Sequence, residues 1–524
     1  MRKSEQGYTL LFVLVTLTVL SVLAVATIGI SLQSTRLTEI RETDIDVETS
    51  TQNDLDKAVA ALQQIVVKTT GTSPTTSSQA LFSNLNSAIV LPLKSIVPSV
   101  TVEVNETASN IRVKALDLTA TVEKQKGDQP VIRKTYRQRV YLSAIPSFLY
   151  YTLGSDNQVI IKGAPFIEGN IFSRNPLKAT ATPYFKYNNE NGTFTNTQAL
   201  PYVAGQIRVF QEKNLPLLQC EDYLSCDRSI FDPKGSTDLA STKEALVPFD
   251  FNYALNDFLK LPVNTPITQI TTSLKDSAIP QSVLTGPFLT ALDTKRQMIS
   301  PAPNTNNTIT LTDDLVQETL EPLIINGNLT ISSLNSVEQP LEIKRPLVVL
   351  GNLLVRGNVG FATTIYTTGT SRLDDANIQG LTSSTKQNTL ILLSKGTLVI
   401  NRVNKFSTPR TTTPDLNAFL YSDDDQINTI YSVGSTMNVR GGIFTKGKLE
   451  VNAYRGKLDL AENQFPANVR DLERLMIANK SADAEASRLR MAYDATVLKN
   501  PTSLLPLNRS VQMYVETPKR IQQQ

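Results

Sequence analysis

Met1-Arg-Lys-Ser-Glu-Gln-Gly7 opens this chain, and an uncharged run, Tyr8-Thr-Leu-Leu-Phe-Val-Leu-Val-Thr-Leu-Thr-Val-Leu-Ser-Val-Leu-Ala-Val-Ala-Thr-Ile-Gly-Ile-Ser-Leu32, follows it directly. As a helix rising 1.5 Å per residue the run is roughly 37 Å long, enough to cross a hydrocarbon core of about 30 Å with some tilt. It is too long for the apolar core of an ordinary secretory signal, and polar helical sequence follows Val25-Ala-Thr-Ile-Gly29, so residues 8–32 read as a retained transmembrane helix. Arg2 and Lys3 just before the run place its start on the cytoplasmic side and the chain from about Ser34 onward outside.

At these residues the chain resembles the type IV prepilins and pseudopilins. In that family a short basic leader ends in glycine, a prepilin peptidase cuts after it, and the new N-terminus begins a long helix that anchors the subunit and packs in a filament core. The resemblance makes Gly7 the leader glycine and Tyr8 the first mature residue, with residues 1–7 as leader peptide. It implies the prepilin peptidase, other pilin subunits with their assembly machinery, and the lipid bilayer as partners. One position departs from the pattern. The family carries a glutamate at the fifth mature position, which meets the N-terminal amine of a neighbouring subunit, and this chain has Phe12 there. Filament-tip subunits and minor pilins of the PilX type are similar to this chain in lacking that carboxylate.

Beyond the membrane run, Ile40, Val47, Leu55, Val59, Leu62 and Val66 recur with a period near 3.6 among polar residues, interrupted at Asp44 and Thr51. This predicts an amphipathic helix extension over 33–68, ended by Thr69-Thr-Gly-Thr-Ser-Pro74. Alternation in 97–104, 111–122 and 131–142 predicts a small antiparallel sheet within 89–145, with Gly127-Asp128 between its last two strands and the helix covering its apolar face.

An internal repeat follows. Gly-Asn precedes an aliphatic residue at Gly169-Asn170, Gly327-Asn328, Gly351-Asn352 and Gly357-Asn358, and short aliphatic runs such as Leu347-Val-Val-Leu350 and Leu390-Ile-Leu-Leu393 lie between corners. Short strands with tight corners indicate a coiled solenoid, in which Gly and Asn tolerate left-handed corners. The fold class expected is therefore α+β, mainly β: an N-terminal transmembrane helix, a small antiparallel sheet, and a right-handed parallel β-helix over 146–174 and 302–457. A sandwich is the other reading of the repeat. Residues 175–301 read as an insertion holding the cysteines, and 458–524 as a helix and a strand closing the solenoid.

Composition narrows the function. A chain of 524 residues, 40% hydrophobic and 19% charged, can hold two or three cored domains, and +3 over that length gives no case for nucleic acid. The absence of histidine removes Ser-His-Asp and Cys-His catalysis and His-ligated zinc. Cys220 and Cys226 are too few for a zinc site and, outside the cell, form a small disulfide loop; a reduced pair is the alternative. Asp313-Asp314, Asp374-Asp375 and Asp423–Asp425 are the carboxylate clusters in the repeat region, readable as solvated turns, as calcium ligands, or as the acid pair of a glycosidase. Tyr184, Phe185, Tyr187 and Tyr202 are either the insertion's own core or a contact surface for a glycan or protein. No catalytic residue, cofactor site or metal site is assigned. The reading is a single-pass, non-catalytic surface subunit for display or adhesion, against an anchored β-helix glycan hydrolase or lyase, or a scaffold that stacks solenoid ends.

Replacing Gly7 with a bulky residue should block cleavage before Tyr8, leaving a chain heavier by the leader in mass spectra; wild-type chain that keeps Met1 in cells would overturn the leader assignment.

Overall fold

The computed structural model describes residues 5–521 apart from 72–77, 111, 126–130, 188–189, 194–198, 212–215, 244–245, 263, 275–278, 293–294, 334–338, 384–387, 402–414, 433–435, 458–465 and 500–503. Gly127-Asp128 falls outside the described residues. The chain forms two compact units, one made of 1–143 with 512–524, the other of 144–511.

In the first unit one continuous helix, α1 (Glu5–Gly71), includes both the apolar run and its amphipathic extension. Its second half packs on an antiparallel sheet of β1 (Val100–Val104), β2 (Val113–Lys124) and β3 (Ile132–Ser143), with the strand Gln512–Val515 on the far side of β3. The helix buries Val47, Leu55, Ala58, Leu62 and Val66 on the sheet side. Thr51, expected as a break in the stripe, is wholly buried there, because its hydroxyl donates to the Val47 carbonyl at 2.6 Å and needs no other partner. The C-terminal strand was expected to close the solenoid. It pairs instead with β3, Val140 opposite Val515, a non-local choice that alternation within five residues does not encode.

The second unit is built on one sheet whose strands pair in parallel along three ladders. In the first, Leu323–Ile325, Leu347–Val349, Thr364–Thr367, Leu390–Ser394, Leu416–Ser422 and Met437–Thr445 lie side by side, followed by Leu153–Ser155, Ile171–Ser173, Tyr202–Phe210 and Thr237–Thr242. The second ladder runs likewise through Leu353–Phe361, Ser371–Gly380, Leu398–Asn401, Asn428–Ser432, Leu449–Ala453 and Val159–Gly163. The third includes the far halves of Leu353–Phe361 and Ser371–Gly380, then Leu489–Ala492 and Phe166–Glu168. The chain therefore enters this sheet in its middle, at Leu153 beside Ile443, runs to one edge at Thr242, and resumes at the other edge with Ile279–Gln281. Residues 175–301, set apart above as an insertion, supply strands to both edges of the same sheet. Between them lies the helix Phe251–Phe258, which packs on the outer face of the first ladder: Phe258 lies 4.9 Å and Phe251 5.9 Å from Tyr366, and Phe249, just before the helix, lies 4.9 Å from Tyr421.

Columns of like side chains hold the ladders in register. Leu347, Ile365, Leu392, Leu420, Ile443 and Leu153 follow one another across adjacent strands, all buried, which is why these strands read as continuous apolar runs. Next to them Thr367, Ser394, Ser422, Thr445, Ser155 and Ser173 form a fully buried hydroxyl column. Thr367 donates to the Gly351 carbonyl at 2.7 Å, Ser394 to Gly369 at 2.9 Å, and Ser422 to Gly396 at 2.9 Å, so each hydroxyl ties its strand to the preceding corner. The Gly-Asn repeat has a matching cause. Asn328 Oδ1 accepts the Asn352 N–H and Asn352 Oδ1 accepts the Thr370 N–H, both at 2.8 Å. Gly369 is needed for close approach and not for a left-handed corner: a Cβ there would sit 2.7 Å from the Gly351 carbonyl oxygen. Gly357, with φ +79°, is the left-handed kind.

Leu392→Ala should lower stability by about 2–5 kcal/mol in denaturant unfolding, while Thr330→Ala, at a half-buried outward position of the strand Asn328–Ser332, should stay within about 0.5 kcal/mol; equal losses would contradict the assignment of inward and outward columns.

Candidate functional site

Among the described residues, the apolar half of α1 is a long run of uncovered apolar side chains. From Leu11 to Leu32 its large side chains are half to three-quarters exposed, Phe12 at 67% and Val25 at 71%. Among the described residues this is one helix long and apolar enough to cross a membrane. Four of its hydroxyls are satisfied within the helix: Thr16 donates to the Phe12 carbonyl at 2.6 Å, Thr18 to Leu14 at 2.5 Å, Ser21 to Leu17 at 2.8 Å and Thr27 to Leu23 at 2.6 Å. In hydrocarbon these donors have no water to turn to, and back-bonding removes that penalty. Gly7 and Tyr8 lie in the first turns of α1, with side chains outside the described residues.

Burial begins only at Thr43, about 16 Å along the axis from Leu32, so a polar neck, Gln33 to Glu42, separates the apolar half from the packed half. The packed half is fixed by a charge that sequence reading missed. Lys134 of β3 points into the helix–sheet interface with its side chain 2% exposed, and its ammonium lies 2.8 Å from both Asp44 and Glu48 of α1. The two carboxylates are nearly half exposed, and a third contact joins Lys134 Nζ to the Asp44 carbonyl oxygen at 3.2 Å. The hydrogen bond from Lys134, reinforced by its charge, holds the Glu48 carboxyl below its ordinary 4.5. Burial opposes the charge on Lys134, but its bonds to Asp44 and Glu48 outweigh that and raise its pKa above 10.5. Two signals existed in the sequence: Asp44 breaks the apolar stripe of the helix, and Lys134 is the one charge on the inward face of β3, whose other buried members are Tyr136, Gln138, Val140 and Leu142. Behind the sheet, Asp117 takes a bidentate pair from Arg139 at 2.7 and 3.0 Å, which holds its carboxyl below the usual range.

The remaining sequence candidates belong to the other unit. Cys220 and Cys226 are joined by a disulfide, with Cα atoms 5.5 Å apart. The acid clusters sit at different corners and their carboxylates are engaged: Asp374 with Arg372 at 2.6 Å, Asp423 with Lys395 and with the Tyr421 hydroxyl at 3.1 Å, Asp425 with Lys446 at 3.2 Å, and Asp314 with the Glu342 N–H at 2.8 Å. Asp423 and Asp425 follow the first ladder, whereas Asp314 and Asp374 lie between the second and third. Of the aromatics, Phe185 is buried, Tyr202 stacks on Phe166 at 4.2 Å, and Tyr184 is exposed.

A solved structure, the competence-associated pilin ComZ from Thermus thermophilus, aligns with 91% of this chain and 98% of its own, at 11% identity and a TM-score of 0.27. No protein-family model and no curated protein sequence matches the chain.

The ion clamp sets a two-sided pH dependence. Glu48, whose folded pKa is lowered, contributes stability above 4.5 that is lost as pH falls through its folded value. Lys134, whose folded pKa is raised, contributes below 10.5 and loses it as pH rises through its folded value. Lys134→Met should flatten both limbs and cost about 1–2 kcal/mol near neutrality, a figure discounted for the exposed carboxylates. Helix melting followed across pH would contradict the clamp if wild type and variant gave parallel curves.

Proposed function

We propose that this chain is a type IV pilin-like subunit, held by the first half of α1 in a lipid bilayer and assembled into or onto a filament as a scarce, non-catalytic component. The observation that carries the reading is α1 itself: one unbroken helix, bare and apolar over Leu11–Leu32 and packed on an antiparallel sheet from Thr43 on. A soluble protein would leave that much apolar surface uncovered only at a cost of tens of kcal/mol at about 25 cal/mol per Å². The basic leader and Gly7 add the processing step, with cleavage before Tyr8 by a prepilin peptidase and the body of the protein outside the cytoplasm.

Phe12 supports a minor role. Without a carboxylate there, a neighbouring subunit's N-terminal amine loses its counter-charge in the apolar filament core, so identical copies stack poorly. The size of the second unit, 144–511, argues the same way, since so large a body on every subunit would crowd a helical lattice. We read that unit as a right-handed parallel β-helix whose three faces are the three ladders, the hand following from the preference of parallel crossovers. Its role is display or adhesion. The hydrolase alternative asks for two free carboxylates across one groove; Asp374 and Asp423 serve neighbouring cations at separate corners, so that reading is not pursued.

Quantitative mass spectrometry of purified filaments tests the proposal. Trace amounts relative to the main pilin are expected, and equal stoichiometry would refute the minor role. Phe12→Glu should reduce membrane retention, because an unpaired carboxylate in the bilayer costs roughly 2–3 kcal/mol.

A further inference from the structure

In the second unit, Tyr184 is the single aromatic side chain among the described residues that stands exposed, at 41%, while Phe172, Phe185, Tyr366, Tyr421 and Phe444 are buried. It is also held in place. Its N–H donates to Asn452 Oδ1 at 2.9 Å, and the Lys162 ammonium lies 4.1 Å from the ring centroid, covering one face. Lys162 is in turn fixed by Glu450 at 2.8 Å, and the Asn452 amide donates to Glu450 at 3.0 Å. Tyr431, Asn452 and Lys162 are register neighbours on three successive strands of the second ladder, so their side chains point to one side of it, with Asn452 itself wholly buried.

The geometry points to a saccharide-binding site on this face, with Tyr184 as its platform and a β-linked hexopyranose as the class of ligand. A ring braced by a cation on one face and still 41% exposed as a residue is stiff in orientation, so little freedom is lost when something stacks on it. The partner that suits it has a flat, weakly apolar face edged with hydroxyls. β-Linked pyranoses present axial C–H groups to such a ring, whose π-face is electron-rich. Around it stand groups of both senses: the Lys162 ammonium donates, and the Glu450 carboxylate, which accepts one bond at each oxygen, keeps lone pairs for sugar hydroxyls, while the buried Asn452 amide only holds Glu450 and the Tyr184 backbone in place. The Tyr431 hydroxyl serves either way. A buried structural tyrosine would show the opposite pattern, an enclosed ring and a satisfied hydroxyl, as Tyr454 does with its O–H on the Met476 carbonyl and no exposure.

This site deepens the display and adhesion reading by naming a ligand class, and it fails separately from it. The chain contains no tryptophan, so Tyr184→Trp places a sole indole reporter on the platform. The experiment titrates chitotetraose, and cellotetraose in parallel, into the full chain held in a detergent without a sugar headgroup. Tyr184→Trp should give a saturable blue shift, and calorimetry on wild type should give a Kd of about 1 mM or tighter. Tyr184→Ala should weaken binding at least tenfold and Lys162→Gln several-fold, with unchanged unfolding midpoints. No saturable signal from either saccharide up to about 20 mM, or wild-type affinity in Tyr184→Ala, would overturn the site. Such a failure leaves the filament reading standing, because N-terminal processing and filament stoichiometry decide that one.

Discussion

On the proposed reading a single helix has to satisfy two solvents, and the organisation of the first unit depends on where it changes from one to the other. Over Leu11–Leu32 the large side chains face outward and the hydroxyls of Thr16, Thr18, Ser21 and Thr27 are turned back onto their own backbone, as a hydrocarbon surrounding would demand. From Thr43 the same helix follows the rules of a water-soluble core, with an apolar stripe on a sheet and charges on the open side. The Lys134 clamp marks the first full contact after that change. It joins α1 to β3 through two carboxylates that stay hydrated on their outer side, so the pair avoids the full desolvation penalty of a buried salt bridge.

The second unit meets a different constraint, that stacked parallel strands must not slip. Aliphatic columns alone would tolerate sliding, since one leucine replaces another readily. Hydroxyl and asparagine columns do not, because each donor meets a carbonyl or amide at one register only. A line of alternating charge runs along the same corner: Lys395 with Asp423, Lys446 with Asp425, and Arg174 with Asp156. The seam where Leu153–Ser155 joins Met437–Thr445 uses the same devices, with the Ser155 hydroxyl on the Gly447 carbonyl at 2.7 Å. Strands nearly three hundred residues apart in sequence are thus joined as if consecutive.

Legibility followed locality. The long apolar helix, the helix Val469–Ala478, the antiparallel β1–β3 and the Gly-Asn corners were readable because period, capping and turn chemistry act over a few residues. The placement of Gln512–Val515 beside β3 was not readable, nor was the entry of the chain at mid-sheet, since both are choices of partner across hundreds of residues. Residues 175–301 read as an insertion because they lack Gly-Asn corners, although Ile171, Ile207 and Leu239 continue the same inward column. At the candidate site the apolar surface and Phe12 were plain in the sequence. Lys134 was hidden because its meaning lies in Asp44 and Glu48, ninety and eighty-six positions away.

The central claim, that α1 changes solvent between Leu32 and Thr43, is tested most directly by single cysteines along the helix in intact cells, labelled with a membrane-impermeant maleimide. The account predicts no labelling at positions 15, 19, 22, 25 and 28, and labelling from outside at positions 38, 46 and 56. Ready labelling within 15–28, or none at 46 and 56, would contradict it.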